Sequence, residues 1–154
     1  MEEKNSSFSD LVAAENRFFS TRRDFVSNSK TIVEELENGL RSVKERGTAL
    51  RLLIDLDQTI KGKLTEPIFD LCLFSHPEID LSREIFLDID RQVTAQKLSN
   101  VLEDPPSDWD EEEFRRLAEL LSQGRMTGHL RKLLELARSH LSEDVREVAE
   151  DFAV

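Results

Sequence analysis

The chain has 154 residues, 38% of them apolar and 34% charged, which describes about one folded domain with a heavily charged exterior and excludes a disordered tail. Its formal charge of −11 is lopsided: residues 1–77 carry 11 Lys+Arg and 13 Asp+Glu, a net of −2, while residues 78–154 carry 10 and 19, a net of −9. An acidic half opposes direct binding to nucleic-acid phosphates and favours basic partners or plain solubility.

The opening stretch carries the strongest pattern. No proline precedes Pro67 and no glycine precedes Gly39. Adjacent apolar pairs recur every seven positions at Leu11/Val12, Phe18/Phe19, Phe25/Val26 and Ile32/Val33, and Gly39/Leu40 continues the phase. A seven-residue apolar repeat is the mark of a helix that shows one seam to another helix. Residues 1–8 read as a flexible end, and Ser9 or Asp10 as an N-cap. Residues 10–46 then form one long helix or two nearly collinear ones, because Ser27-Asn28-Ser29-Lys30-Thr31 competes for backbone hydrogen bonds. Gly47 ends the element, behind Lys44 and Arg46.

Thr48 can cap a helix over about 49–63. Thr65-Glu66-Pro67 is a helix start that leads into the apolar run Ile68–Phe74, and Pro77 stops it. A helix over about 82–103 follows, with Ile85, Phe86, Ile89, Val93, Leu98, Val101 and Leu102 on its apolar side, and Pro105-Pro106 ends it. Ser107-Asp108-Trp109-Asp110 opens the next, which runs to Gly124. Thr127 starts another, with Leu130, Leu133, Leu134, Ala137 and Leu141 as its core side, and Ser142 caps a last one. The expected fold is all-α, a bundle of six to seven helices: a long heptad-patterned element over 9–46 and an antiparallel bundle over 48–154, together one domain over 9–154.

Nine residues stand out as candidate protein contacts. Phe18, Phe19, Phe25 and Ile32 lie on the seam, where aromatic and β-branched side chains are costly to leave in water. Either the C-terminal helices cover the seam or a second chain does, which allows a homodimer through the N-terminal helix. Asp108, Trp109, Asp110, Glu111 and Glu112 belong to a run, Glu103–Glu113, with seven acids and no base. Such a run is a solvated loop with acids matched to a helix dipole, or a surface for a basic partner with Trp109 as anchor. Trp109 can equally pack down on its own helix. Cys72 is the only cysteine, so no internal disulfide forms and a reducing compartment fits. With no apolar run near the ~18 residues that cross a bilayer and an acidic start unlike a signal peptide, the expected location is the cytoplasm, or the nucleus in a eukaryote. No membrane, cofactor or metal is expected, since none of His76, His129 and His140 has a metal-type neighbour one turn away.

Two short stretches resemble known families. Leu52-Leu53-Ile54-Asp55-Leu56-Asp57-Gln58-Thr59 resembles the first motif of the haloacid dehalogenase-like phosphatases, an apolar strand followed by Asp-x-Asp-x-Thr. That resemblance implies Asp55 as nucleophile and Asp57 as acid/base beside magnesium, in a doubly wound sheet for which this chain offers no strand–helix alternation. Residues 130–152, including Asp144-Val145-Arg146, resemble one unit of a HEAT-type helical repeat, which implies a protein-binding scaffold. The leading expectation is a non-enzymatic helical protein-interaction module, an adaptor or assembly subunit. An acidic inhibitor or immunity-type protein capping a basic toxin or nuclease is the alternative, and a phosphatase at Asp55 and Asp57 the second.

Overall fold

In the computed structural model, which describes residues 7–153, ten helices follow one another and no strand occurs among the described residues. They are α1 (Phe8–Asn28), α2 (Ile32–Arg41), α3 (Arg46–Leu53), α4 (Gln58–Lys63), α5 (Thr65–Leu71), α6 (Ile79–Asp88), α7 (Arg91–Glu103), α8 (Glu111–Gln123), α9 (Thr127–Arg138) and α10 (Glu143–Asp151). The class is the expected one, but the count of six to seven is corrected to ten because three expected helices are divided. Most of the flexible end expected over 1–8 lies outside the described residues. Ser7 and Phe8, however, are structured: Ser7 rather than Ser9 or Asp10 caps α1, in a capping box with Asp10.

The divisions have local causes. Between α1 and α2, the Ser29 hydroxyl accepts from the Thr31 amide and donates to Glu35 at 2.6 Å, so the serine fixes the break itself. The 9–46 element is therefore two helices plus a turn, and Gly47, expected to end it, sits in the first turn of α3. The 49–63 helix is divided at Ile54–Asp57, where the Asp57 carboxylate accepts from the Ile60 amide and restarts the chain as α4. The 82–103 helix is divided at Ile89, which turns to extended backbone (φ −62°, ψ 147°) while its side chain stays buried, and Asp90 then caps α7.

One continuous apolar core runs from α2 to α10. Phe69 of α5 and Phe86 of α6 meet at its centre with ring centroids 5.4 Å apart. Leu98, Leu117, Leu120, Leu133, Val145 and Val148 extend it into the C-terminal helices. Polar side chains join the elements around it. Buried Lys61 pairs with Asp88 and donates to the Ile54 carbonyl at 3.0 Å, buried Arg83 pairs with Glu119, and Arg115 links Glu111 to Asp151. Leu141 is not part of the core: α9 ends at Arg138, and Leu141 is 97% exposed in the turn that follows.

Candidate functional site

The helix that contributes nothing to this core is α1. It has 21 residues, which at about 1.5 Å per residue is a rod about 31 Å long. None of its side chains is buried. Its apolar stripe is nonetheless rich: Phe8 is 80% exposed, Leu11 62%, Phe18 48% and Phe19 49%. At about 200 Å² for a whole phenylalanine side chain, these fractions leave about 350 Å² of the three rings in water. Covering that much would contribute about 9 kcal/mol at about 25 cal/mol per Å². Apolar surface of this extent is the size of the largest patch on a typical monomer, which is often a functional one.

The C-terminal half of α1 lies over the rest of the protein without closing on it. Arg22 reaches down to pair with Asp55 in the α3–α4 turn. On one side of that strut, Phe18 and Phe25 form a wall of a groove of about 650 Å³ whose floor is Leu36, Gly39, Ala49 and Leu52 from α2 and α3. The floor is low because α2 and α3 approach closely at small residues: a β-carbon on Gly39 would stand 3.2 Å from that of Ala49. On the other side, Phe19 and Val26 face Leu56 across a smaller groove of about 330 Å³. Phe18 and Phe19 meet edge to face at 5.6 Å.

The expected seam is therefore divided. Phe18, Phe19 and Phe25 sit together on α1, half-buried at most. Ile32 begins α2 and packs partly against the core, with Leu36 and Leu40 buried behind it. The seam's second half is covered by the chain itself, and its first half is not.

The acidic stretch is used locally. Asp110 caps α8 in a capping box with Glu113, accepting from the Glu112 amide at 2.8 Å. Glu111 pairs with Arg115, and Glu112 lies 3.9 Å from Arg116. Trp109 precedes the cap and sets its ring edge to face on Phe114, four residues into the helix, at 6.0 Å. That is a hydrophobic staple, the alternative role already legible for Trp109. Asp108 is exposed. Asp110, Glu111 and Glu112 do converge with Asp144 and Ser142 on a shallow cleft of about 300 Å³ between the starts of α8 and α10.

The two resembling stretches fall into ordinary helical roles. Asp55 holds Arg22, Asp57 caps α4, and the strand that the phosphatase motif implies is a helix end and a turn. No group of three or more His, Cys, Asp or Glu among the described residues is arranged to hold a metal ion. Cys72 is fully buried, and burial holds its thiol far above the usual range, so it is inert rather than nucleophilic. Residues 130–152 form the α9–α10 hairpin, whose turn is closed by Arg146 donating to the carbonyls of His140 and Leu141, both at 2.8 Å. No helix among the described residues is long and apolar enough to cross a membrane.

Comparison of the chain with protein-family models, with curated proteins and with solved structures finds no match.

Proposed function

We propose that this chain is a non-enzymatic protein-interaction module, an adaptor or assembly subunit, whose recognition element is α1 together with the groove between α1 and the α2–α3 hairpin. One observation carries the reading: a 21-residue helix with an aromatic stripe has no buried side chain and is joined to the core by an ion pair and open grooves. Helix-in-groove recognition uses such apolar anchors spaced along one face. The engagement of Asp55 and Asp57 in a strut and a cap supports a non-enzymatic role.

The test is a photo-cross-linking amino acid at position 19, activated in cells of the source organism, with adducts identified by mass spectrometry. A defined protein adduct, absent when the cross-linker is moved to exposed Glu135 on α9, supports the reading. Absence of any adduct specific to position 19 overturns it.

A second reading, the acidic inhibitor, has the cleft of Asp110, Glu111, Glu112 and Asp144 in its favour. Glu111 and Glu112 already face Arg115 and Arg116, which lowers the charge they offer a basic partner. Binding to a basic nuclease that weakens with salt and with Asp144→Lys would select this reading over the arm.

A further inference from the structure

Resting on the reading of α1 as a recognition arm, we infer that the occupant of that arm is the α1 of a second copy, paired antiparallel. Each copy's Leu11 and Val12 then seat beside the partner copy's Phe25 and Val26, at the groove over α2 and α3, and the two Phe18/Phe19 layers meet each other.

The order of side chains on α1 supports this orientation. The exposed seam advances by about three and a half residues per layer: Phe8, then Leu11/Val12, Glu15, Phe18/Phe19, Arg22 and Phe25/Val26. Apolar layers alternate with one acid and one base, and from Leu11 to Val26 the series is symmetric about the bond between Phe18 and Phe19. Turned end for end about that point, it sets Leu11/Val12 against Phe25/Val26, the Phe18/Phe19 layer against itself, and Glu15 against Arg22. Parallel pairing does the reverse, stacking Glu15 on Glu15 and Arg22 on Arg22, which is unfavourable.

Charge narrows the partner further. The chain carries −11, yet α1 holds three acids (Asp10, Glu15, Asp24) and three bases (Arg17, Arg22, Arg23) and is neutral. A neutral, self-complementary face offers nothing particular to a basic protein and lets two acidic copies approach. The place of the groove agrees. It lies beside the C-terminal half of α1, while the most exposed apolar side chains of α1, Phe8 and Leu11, lie at its N-terminal end. Antiparallel pairing brings those ends to the partner's grooves, and parallel pairing leaves both grooves empty. The contact is isologous, so each groove is filled once and assembly stops at two. The three phenylalanines of each copy supply about 700 Å² between them, at about 200 Å² per whole ring. Leu11, Val12 and Val26 bring the total toward the roughly 1,000 Å² that a specific interface needs.

The experiment is light scattering coupled to size exclusion on the full chain, over a concentration series up to about 100 µM, a range that detects affinities of about 1 µM. The expected mass is twice 17.8 kDa. Glu15→Arg and Glu15→Gln, which leave the Arg22–Asp55 pair intact, should each weaken the dimer, Glu15→Arg raising the dissociation constant about tenfold by setting a like charge against the partner copy's Arg22. Circular dichroism confirms that each variant folds. A wild-type monomer throughout the series overturns the inference, and so does a dimer that neither variant weakens, the result for parallel pairing, in which Glu15 stands against Glu15. The position-19 cross-linker separates this failure from that of the broader reading. A monomer whose adduct is a different protein overturns self-pairing alone, and one with no adduct overturns the arm as well.

Discussion

Replacing both central rings of the arm, Phe18→Asp with Phe19→Asp, should abolish partner binding and leave the fold nearly untouched. Each ring is about half exposed, so about 100 Å² per ring remains for a partner to cover. At about 25 cal/mol per Å² that is about 2.5 kcal/mol each, or roughly 5 kcal/mol for the pair on one copy. Ordering of side chains offsets part of it, and a loss of at least about 2 kcal/mol, some thirtyfold in affinity, is the expected floor. The effect on folding should be of another size. Neither ring belongs to the residues packed against the core, both are about half exposed, and α1 has no buried side chain. Urea unfolding followed by circular dichroism, at protein concentrations low enough to keep copies apart, should therefore move by about 0.5 kcal/mol or less. A loss of 2 kcal/mol or more in that assay would mean that α1 is a structural helix, and the assignment of recognition to it would fall.

Other outcomes follow from single residues. Arg125, at φ 52°, is the one non-glycine left-handed residue among those described, and it occupies the position after Gly124 that closes α8, with the Met126 amide donating to the Leu121 carbonyl at 2.8 Å. Arg125→Gly should raise stability by about 1 kcal/mol, visible as a higher melting temperature; a lower one would show that the arginine side chain outweighs the backbone strain. Trp109→Ala removes the staple on Phe114 and should cost about 1 kcal/mol in urea unfolding, with no change in what the position-19 cross-linker captures. Burial alone would raise the Glu119 carboxyl, but its hydrogen bond to Arg83, aided by that guanidinium's charge and by Arg116, outweighs burial and holds it below the usual range. Because the folded value is depressed, its contribution is complete above the unfolded value and is lost as pH falls through the folded one. Glu119→Gln should thus be less stable than wild type at neutral pH and equal to it in strong acid, and stability curves that stay parallel would refute the assignment.

Much of this architecture was legible because its signals are local. The acids after Trp109 mark a helix start, and Asp110 with Glu113 builds the capping box there. Ser29 sits in a polar stretch that leaves one helix or two open, and the chain does break there. The divisions at Ile54–Asp57 and Ile89–Asp90 were missed for one reason: each begins at an apolar residue that continues the helical pattern. Ile89 leaves the helix with its side chain still buried, so tertiary packing fixes its backbone and local propensity does not. Asp57 and Asp90 were the available signals, each an aspartate followed by a short polar turn of helix. The seam posed a different difficulty. A heptad repeat states that a face is to be covered without saying by what, and Ile32, in phase with Phe25, is partly covered by the core while Phe18 and Phe19 are not. Only the turn at Ser29–Thr31, which redirects the chain, separates the two fates.

The same turn makes the Arg22–Asp55 pair more consequential than its exposure suggests. Asp55 is 67% exposed and Arg22 23%, so the pair contributes at most about 1 kcal/mol. That is little for a helix packed into a core, but α1 has no buried side chain to share the task. A change of about 1 kcal/mol alters the ratio of docked to released arm about fivefold, which decides how often the groove stands open beside α1. Asp55→Asn should accordingly broaden the distance distribution between spin labels at Ser20 and Thr59, both exposed positions, while helix content stays constant. Raising the salt of the wild type to about 1 M, where screening acts within about 3 Å, should broaden it in the same way. The phosphatase motif makes the opposite demand on the same residue: Asp55→Asn would abolish magnesium-dependent phosphoester hydrolysis and leave the arm where it is. A distribution unmoved by either the substitution or the salt would remove Asp55 as the strut of α1, and hydrolysis lost with Asp55→Asn would return it to chemistry.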